Sequence, residues 1–483
     1  MRAFLALCFV ASTAAAQRDW PQFRGPGGSA AQARSELPLP LNGEKRRAWS
    51  VPVPPGSSSP CVAGDRVYLT GVEDDRLLFL CIDARKGKTL WSHDLPRGKE
   101  VLSHPDCSPA MPTPCTDGKR VAFYFGSWGL VVTDTDGKVQ WEKRMKPSRS
   151  EWGTATSPIL VGGNVVLVRD GAADSRLVAF DLAKGDEVWS VPRLAFGATS
   201  STPFLWESAA GAELVVAGST MLSAFDPRDG APRWTVTGVA ALVCTTPAAT
   251  KDLLYYAAWA TAHTEGSARL LSLFELEGSE LSDEEIADGA VFFRRLDADA
   301  DGHVTPEELP PGRGRDSFAY VDRDGSGTWE ASEYVPLHMF PRQQGANVML
   351  AVKPGGKGDV TKTHVAWSHD RGLPYTASPL VHQGRLWLVK DGGIVTLLDA
   401  RTGALLVDRE RLGERGEYYA SPIGAKGHVL VTSSSGVLFV LAAKDVLEVV
   451  ERLDLGSTVV ATPALAGGRL FVRTADEVLA FGR

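Results

Sequence analysis

Short apolar segments alternate with turn residues along most of the chain, in a unit that recurs. Each unit begins with Ser-Pro or Thr-Pro, continues through two β-rich segments, turns at Asp and Gly, and ends near a Trp. The spacing D-x-x-x-G-x-x-x-W occurs at Asp83, Gly87 and Trp91, and again from Asp181 and from Asp226. This pattern predicts a hairpin in which Asp caps the turn, Gly takes a positive φ, and Trp packs against a neighbouring sheet.

Two further copies of the unit are imperfect. The copy at Asp134, Gly137 and Trp141 has one residue fewer in its turn, and the copy that starts at Asp399 carries Val407 where a Trp is expected. Because the Trp residues recur with the repeat period, we interpret them as packing residues between sheets rather than as cofactor contacts. These residues are Trp91, Trp141, Trp189 and Trp234.

Eight prolines mark the starts of the units. The starts lie 41 to 49 residues apart, except for one interval of 132 residues that shortens to 48 when residues 262–345 are set aside. Eight strand-rich units of this length predict an all-β fold, an eight-bladed β-propeller. A twisted open sheet or a pair of sandwiches is the alternative. The starts are Pro60, Pro109, Pro158, Pro203, Pro247, Pro379, Pro422 and Pro463.

The last unit is one strand short, and the missing strand is available at the other end of the chain. Residues 47–51 repeat the Trp-bearing closing strand, so we predict that they complete the final blade and close the ring. The predicted organisation is a signal peptide at 1–16, an irregular N-terminal arm at 17–44, the propeller at 45–261 and 346–483, and an insert in blade 5 at 262–345. Trp20 and Phe23 are candidates for pinning the arm to the propeller.

The insert contains a twelve-residue loop of the EF-hand type, with acidic residues at positions 1, 3, 5 and 12 and Gly302 at position 6. Calcium takes six to eight hard oxygen ligands, and the glycine permits the sharp turn that brings them together. The pattern therefore predicts a small α-helical EF-hand insert that binds calcium. The expected ligands are Asp297, Asp299, Asp301, the His303 carbonyl, a water near Thr305, and Glu308.

A second loop of the same type begins 25 residues later, and two calcium ions per chain are expected. Each loop gathers four carboxylates, which repel one another unless a cation neutralises them. We predict a helix over 282–296, a shorter one over 318–321, and a β-bridge between Val304 and Trp329. The alternative is a solvated acidic loop that binds no metal. The second set of ligand positions is Asp322, Asp324, Ser326, Thr328, Glu330 and Glu333.

Composition restricts the partners of the chain. Of 483 residues, 51 are basic and 58 acidic, a net charge of −7, so no basic field is available to hold nucleic acid. Residues 1–16 combine Arg2, an apolar stretch and small residues, which predicts a signal peptide and an exported, periplasmic or extracellular, protein. A short uncleaved anchor is the alternative, and no later segment has the roughly 18 apolar residues of a transmembrane helix.

Five cysteines follow the predicted signal peptide, an odd number that leaves at least one thiol free or paired between molecules. Cys107 and Cys115, at the ends of a short Pro-rich loop, are the favoured disulfide pair. Spacing alone does not establish this pairing, because a disulfide depends on the separation and orientation of the two Cβ atoms.

Three segments resemble a known family: DWPQFRGPGG at 19–28, PGGKGDVTKTHVAWS at 354–368 and EYYASPI at 417–423. They are similar to exported bacterial propellers with pyrroloquinoline-quinone (PQQ) repeats, some of which carry the same EF-hand insert. Such propellers resemble both quinone-dependent alcohol dehydrogenases and the scaffold lipoprotein of the outer-membrane β-barrel assembly machinery. One relative does chemistry and the other binds proteins, so the shared fold does not decide the function.

The resemblance to quinone dehydrogenases implies adjacent cysteines beside the cofactor and often a C-x-x-C-H haem site. The chain contains neither motif, and it also lacks H-E-x-x-H and G-x-S-x-G. The absence of these motifs makes PQQ an alternative that we do not favour. Calcium is the expected cofactor, because of the two EF-hand-type loops. The prediction is a calcium-binding propeller that acts as a binding or scaffold protein, with calcium in a structural role.

Residues just before each Ser-Pro or Thr-Pro should gather at one mouth of the central channel, where propellers commonly bind ligands. This mouth is the expected site for a protein partner or a small molecule, the alternative being that its residues only cap strands and pack between blades. Besides a PQQ-dependent oxidoreductase, a carbohydrate-active propeller that uses Asp106 and Glu151 as acid and base is a weaker alternative. The candidate residues are His104, Asp106, Glu151, Trp152, Thr199, Tyr375, Glu417, Tyr418 and Tyr419.

Overall fold

Apolar residues at alternate positions and frequent turns produce a chain built mainly of short antiparallel strands. The computed structural model describes residues 19–42, 46–97, 107–147, 153–170, 175–193, 199–218, 220–240, 244–260, 281–282, 284–285, 288–312, 315, 318–322, 325–339 and 345–482. The predicted signal peptide lies outside the described residues. Eight antiparallel sheets of four consecutive strands form the eight blades of a β-propeller, which confirms the predicted fold class.

In blades 1 to 7 the strands run outward from the channel in chain order, and in blade 8 the outermost strand comes from the beginning of the chain. Blade 1 contains Cys61–Ala63, Arg66–Glu73, Arg76–Asp83 and Thr89–Pro96, and blade 2 contains Cys115–Thr116, Arg120–Phe125, Gly129–Asp134 and Val139–Arg144. Blade 3 contains Ile159–Val161, Asn164–Arg169, Arg176–Asp181 and Glu187–Pro192, and blade 4 contains Phe204–Ser208, Gly211–Gly218, Met221–Phe225 and Pro232–Thr237. Blade 5 contains Ala248–Ala249, Leu254–Ala258, Val348–Val352 and Val365–His369, and blade 6 contains Leu380–His382, Arg385–Lys390, Ile394–Asp399 and Leu405–Arg411. Blade 7 contains Ile423–Ala425, His428–Thr432, Val437–Ala442 and Val449–Asp454, and blade 8 contains Ala464–Ala466, Arg469–Arg473, Glu477–Phe481 and Arg47–Pro52.

The two ends of the channel differ in the connections that they carry. We call loop face the end where each blade connects to the next and where the second strand of a blade connects to its third. We call turn face the opposite end, which carries the D-x-x-x-G turns. The insert of blade 5 follows the second strand of that blade, so it leaves the propeller at the loop face.

A chain of hydrogen bonds around the channel joins the innermost strands. At seven of the eight blade boundaries, the backbone amide of the Ser or Thr before the first-strand proline donates to the hydroxyl of the equivalent residue in the next blade, at 2.9–3.1 Å. Proline fixes its own φ and disfavours a helical backbone at the Ser or Thr before it, so each dipeptide presents the same geometry. Seven such bonds connect Ser59, Thr113, Ser157, Thr202, Thr246, Ser378, Ser421 and Thr462 in order.

The predicted start of blade 2 at Pro109 is wrong. The segment contains two Ser/Thr-Pro dipeptides, and it is Thr113, followed by Pro114, that takes part in the hydrogen-bonded chain. The first strand accordingly begins at Cys115, whereas Pro109 lies in the preceding loop. Sequence spacing could not separate two identical dipeptides five residues apart.

Outside the channel, Trp residues connect neighbouring blades. In five places an indole lies against the turn glycine of the next blade. If that glycine carried a Cβ, the Cβ would lie only 2.6–2.7 Å from an atom of the indole ring. In three of them the indole N–H also donates to a carbonyl of the same turn, as Trp141 does to Leu182 at 2.9 Å. The pairs are Trp49–Gly87, Trp91–Gly137, Trp141–Gly185, Trp189–Gly230 and Trp367–Gly403.

Among the described residues, the Trp–Gly contact is absent at three boundaries, those between blades 4 and 5, 6 and 7, and 7 and 8. Blade 6 has Val407 in place of Trp, and the facing turn of blade 7, residues 443–448, contains no glycine. At the blade 4–5 boundary, Trp234 is buried and donates to Glu213 instead, at 2.9 Å. Residues 358–359 form a fifth, parallel strand on that edge of blade 4, with the short helix Thr361–His364 after it.

Ring closure follows the prediction. Residues Arg47–Pro52 pair antiparallel with Glu477–Phe481 as the outermost strand of blade 8. The first and last parts of the chain therefore share one sheet, which leaves no open blade at which the ring could separate without breaking strand hydrogen bonds.

The N-terminal arm does not lie over the outside of the propeller as a loose segment. It enters the channel from the turn face and follows the innermost strands, where Trp20 forms a β-bridge with Val62 and residues 31–32 pair in parallel with 424–425 of blade 7. Trp20 is fully buried and Phe23 is half-buried.

The favoured disulfide is not formed. Cys115 is a free thiol in the first strand of blade 2, where it is fully buried. Burial raises the pKa of this thiol, so it remains protonated and unreactive in the folded protein.

Replacing Gly185 with Ala should destabilise the propeller more than replacing Gly163 with Ala. Both glycines have positive φ, 77° and 87°, so both substitutions strain the backbone. Only at Gly185 would the new Cβ meet the indole of Trp141, whereas Gly163 has open space around it. We expect an additional loss of about 1–3 kcal/mol for Gly185→Ala, measured by chemical denaturation. Equal losses would show that the indole is not held against the turn.

Stability should decrease in mild acid because of His382. Its ring is buried between blades 6 and 7, with Nε2 2.6 Å from the Ala425 carbonyl, and burial lowers its pKa. The charges of Arg385 and His428 act in the same direction. The unfolded chain therefore takes up a proton first, so this contribution is complete above about pH 6.5 and is lost as the pH falls below it. Denaturation midpoints from pH 7.5 to 5 should fall less steeply in His382→Gln; parallel curves would contradict this.

Candidate functional site

The described part of the insert is a small helical unit with its own apolar core. Its helices are Gly289–Leu296, Phe318–Val321 and Ala331–Met339. The helix before the first loop begins at Gly289, capped by the side chain of Asp288. Residues 284–285 are also helical, so the helix predicted over 282–296 is interrupted at Asp288. Trp329 stacks between Phe318 and Tyr334, with ring centroids 5.0 and 5.4 Å away. Among the described residues, this core consists of insert residues alone.

The two loops are joined as predicted. Val304 pairs with Trp329 and His303 with Glu330 in a two-residue antiparallel ladder. Both Val304 and Trp329 are buried in the core of the insert. The ladder therefore holds the two acidic loops side by side, so that a change in one loop is transmitted to the other through the backbone.

In the first loop, three carboxylates converge. Oxygen atoms of Asp297, Asp299 and Glu308 all lie within 4.8 Å of one another. Three like charges at this separation repel one another, and a cation between them would relieve that repulsion.

Backbone amides hold these carboxylates in place. Asp297 accepts from the amides of Asp301 and Gly302 at 3.0 and 2.9 Å, and Glu308 accepts from Thr305 and Ala298 at 2.7 and 2.9 Å. The amide of Thr305 is the main reason that the pKa of Glu308 is lowered. The carboxylate of Glu308 is thus kept ionised, the state in which it can bind a metal.

The second loop repeats part of this arrangement. Asp322 is buried and accepts from the amides of Ser326 and Gly327 at 3.0 and 3.1 Å, as Asp297 does in the first loop. Glu333 accepts from the amide of Glu330 at 3.2 Å. Asp324 lies outside the described residues. The Ser326 hydroxyl donates to the Thr328 carbonyl at 3.0 Å.

The donor set of the first loop fits a hard divalent cation. It offers carboxylate oxygens, the preferred ligands of calcium, on a loop whose turn uses Gly302 at φ 91°. It offers no sulfur ligand, so a soft metal is not suited to it. If calcium is bound here, it would be held by Asp297, Asp299 and Glu308, and it would neutralise their mutual repulsion.

At the loop face, only some of the predicted mouth residues can be located. Thr199 is buried and donates to Asp170 at 2.5 Å, while Asp170 forms a buried two-bond ion pair with Arg193. This group ties the connection between blades 3 and 4 to the end of a strand. It stabilises the loop face but does not present Thr199 to a ligand. His104, Asp106, Glu151 and Trp152 lie outside the described residues.

Tyr375 belongs to a half-exposed aromatic group. Its ring meets Trp259 edge-on at 5.2 Å, and the ammonium of Lys390 lies 4.8 Å above the same indole. Burial, followed by the nearby Cys244, raises the pKa of Tyr375 to about 12. Its hydroxyl is therefore neutral and can donate to a ligand over the whole physiological pH range.

The EYYASPI segment separates into one packing residue and two accessible ones. Tyr418 is 1% exposed, donates its hydroxyl to the Glu414 carbonyl at 3.0 Å, and donates its amide to Asp391 at 2.8 Å. Glu417 is exposed and accepts from the Tyr419 hydroxyl at 2.5 Å. Tyr418 therefore supports the loop from within, and only Glu417 and Tyr419 are available at the surface.

Three neighbours were missed by the sequence reasoning: Trp259, Lys390 and Asp391. They follow or end the second strands of blades 5 and 6, and the search considered only residues before Ser/Thr-Pro. Burial is the main cause that raises the pKa of Asp391, and the charge of Glu417 adds to it. The connections between second and third strands reach the same face, so inspecting both sets of loops would have found these residues.

The fold and the repeats define the class of protein: an eight-bladed, quinoprotein-like propeller. The family model of the outer membrane protein assembly factor BamB matches residues 44–169, 80–242 and 173–281. The curated BamB of Burkholderia pseudomallei strain K96243 is 27% identical over 162 residues, which cover 32% of this chain and 37% of that relative. The chain is thus a PQQ-like repeat propeller similar to BamB, and its match spans little more than a third of that curated relative.

Solved structures agree on the fold. BamB from Moraxella catarrhalis has a TM-score of 0.55 and 12% identity, covering 90% of this chain and 99% of that one. Quinohemoprotein alcohol dehydrogenase from Comamonas testosteroni has a TM-score of 0.56 and 13% identity, covering 97% and 81%. At such identities the likeness shows the architecture alone. None of the described helices is long and apolar enough to cross a membrane.

Replacing Tyr418 with Ala should destabilise the propeller, whereas Tyr419→Ala should not. Removal of the buried Tyr418 ring leaves a cavity and an unpaired carbonyl at Glu414, a loss of about 3 kcal/mol or more. Tyr419 is half-exposed, and its loss should cost less than about 1 kcal/mol. Denaturation midpoints of the two variants provide the comparison. Similar losses would place both rings in the same environment.

Proposed function

We propose that the chain is an exported, calcium-binding β-propeller that acts as a binding or scaffold protein. The observation that supports the calcium site is the convergence of three ionisable oxygens, from Asp297, Asp299 and Glu308, within 4.8 Å. Export is supported by the pattern of residues 1–16. The binding role is supported by the similarity to BamB, which is named as an assembly factor for outer membrane proteins.

Calcium in this protein has a structural role. An exported protein meets a nearly constant calcium concentration that is often millimolar, which keeps an EF-hand site of ordinary extracellular affinity filled. The described insert has a core of its own around Trp329, and its two loops share a ladder. Filling the loops therefore stiffens one compact unit at the loop face and involves no large movement.

The partner is a protein, or a smaller ligand, that binds at the loop face. This face carries the mouth residues Tyr375, Glu417 and Tyr419, and it is also where the insert leaves blade 5. Rigid aromatic rings beside charged groups are typical of protein-binding surfaces. A net charge of −7 argues against nucleic acid as the partner.

Calcium titration of the metal-free protein should show about two sites per chain, and Glu308→Gln should weaken the first by about tenfold or more. Glu308 supplies one of the three converging carboxylates, whereas its neighbour Glu307 is exposed and outside the group. Glu307→Gln is therefore the matched control, with the same loss of charge. Calorimetry and far-ultraviolet circular dichroism measure binding and gain of helix. A flat titration of the unmodified protein would overturn the calcium proposal.

A second titration distinguishes a binding protein from a quinone enzyme. The calcium-saturated protein should give no saturable heat with PQQ, because the cysteine and haem motifs of quinone dehydrogenases are absent from the sequence. Tight binding of one PQQ per chain would instead favour an oxidoreductase and direct attention to alcohol or sugar substrates. A parallel titration of PQQ into bovine serum albumin is the control, and it gives the level of nonspecific heat.

A further inference from the structure

The N-terminal arm is seated inside the channel on most of the blades. The carbonyls of Trp20 and Pro21 accept from the amides of Val62 in blade 1 and Thr116 in blade 2, at 2.8 and 2.9 Å. Farther along the arm, the Ala30 carbonyl accepts from Gly424 in blade 7 at 2.7 Å. The arm also closes on itself, since the Gln32 side chain donates to the Asp19 carbonyl at 3.1 Å.

Arg24 anchors the middle of the arm. Its guanidinium donates to the carbonyls of Thr246 and Pro247 in blade 5, at 3.2 and 2.9 Å, and to the Pro379 carbonyl in blade 6. These carbonyls belong to the segment that carries the hydrogen-bonded chain of Ser and Thr residues. The arm therefore reaches through the channel from the turn face almost to the level of that chain.

Burial of the Arg24 guanidinium costs free energy, although its hydrogen bonds to three carbonyl groups are specific. The side chain is fully buried, its Nε has no hydrogen-bond partner, and no ion pair with a carboxylate is found for it among the described residues. A buried guanidinium that is paired only with carbonyl groups keeps much of the cost of leaving water. This cost opposes the seating of the arm without affecting the blades.

Two residues of the arm are also held in a strained backbone conformation. Arg24 and Ala30 have φ values of 58° and 56°, in the left-handed region that disfavours residues with a Cβ. Strain of this kind persists only where surrounding contacts impose it, and it is often found in segments that switch. The segment from Arg24 to Ala30 thus contains both the strain and the unpaired charge.

Closure of the ring does not depend on the arm. The closing strand Arg47–Pro52 is a separate element with its own hydrogen bonds to blade 8, among them Val53 to the Asp476 carbonyl at 2.9 Å and Gly482 to the Arg46 carbonyl at 3.0 Å. The arm could leave the channel while these bonds remain, because none of them involves residues 19–36.

We propose that residues 19–36 form a releasable plug, which closes the turn-face end of the channel and leaves its seat as a unit while the ring stays closed. With the plug seated, a ligand reaches the channel from the loop face only. With the plug released, the channel opens at both ends, and the released segment presents DWPQFRGPGG at the surface. The insert leaves blade 5 at the opposite face.

Hydrogen exchange of the full-length, calcium-loaded protein tests this proposal. The amides of Val62, Thr116 and Gly424 report the plug, and those of Val53 and Gly482 report ring closure. We expect the plug amides to exchange at least about tenfold faster than the closure amides, since release costs less than opening the ring. Equal rates for the two sets in the unmodified protein would overturn the proposal, whatever the variants show.

Variants then test the anchor. Arg24→Ala removes three hydrogen bonds, so the plug amides should exchange about tenfold faster still, with the closure amides unchanged. Arg34→Ala is the matched control, because Arg34 is an exposed cation of the same arm. Ala30→Gly keeps the contacts and relieves the left-handed strain, so it should slow exchange of the plug amides. Acceleration of both sets alike by Arg24→Ala would show that the arm and the ring open together.

Discussion

The hydrogen-bonded chain of Ser and Thr residues around the channel is the constraint on which the rest of the propeller depends. Each blade presents one amide and one hydroxyl at the start of its innermost strand, and seven of the eight amides donate to the hydroxyl of the next blade. Buried backbone donors are costly to leave unpaired, so these bonds fix both the spacing and the relative height of adjacent blades. The Trp–Gly contacts fix the relative position of adjacent blades at the periphery of the ring, where the blades are farther apart. Trp and Gly also disappear together at the blade 6–7 boundary, as expected if the glycine is required only because an indole lies against it.

The two faces of this ring carry different kinds of structure. The turn face is closed by the arm, whose residues satisfy edge amides of the inner strands and whose Arg24 reaches carbonyl groups of blades 5 and 6. The loop face carries the half-exposed aromatic and charged residues, such as Trp259, Tyr375 and Glu417, and also the departure point of the insert. The site that we propose for a ligand or a protein partner lies at the loop face, where Tyr375 and Tyr419 are half-exposed and Glu417 is exposed.

In the insert, local hydrogen bonds set the geometry of each acidic loop, and packing between more distant residues sets the position of one loop relative to the other. Ionised carboxylates of the first loop are oriented by backbone amides within the same twelve residues, so their geometry is decided locally. The relation between the two loops is decided by the ladder of Val304 and Trp329 and by the core beneath it. The same division holds in the blades, where turns are local and the order of the blades is not.

The sequence by itself determined the repeat, the eight blades, the closing strand and the Val304–Trp329 pairing, because each follows from a periodic or local pattern of residues. It could not choose between Pro109 and Pro114 as the start of blade 2, since both dipeptides are alike and only the partner in the next blade distinguishes them. Nor could it show that Tyr418 is buried while Tyr419 is not, that Asp391 lies beside them, or that the arm enters the channel. These features are set by contacts between segments far apart in the chain, whose free energies depend on which groups face each other after the ring has closed.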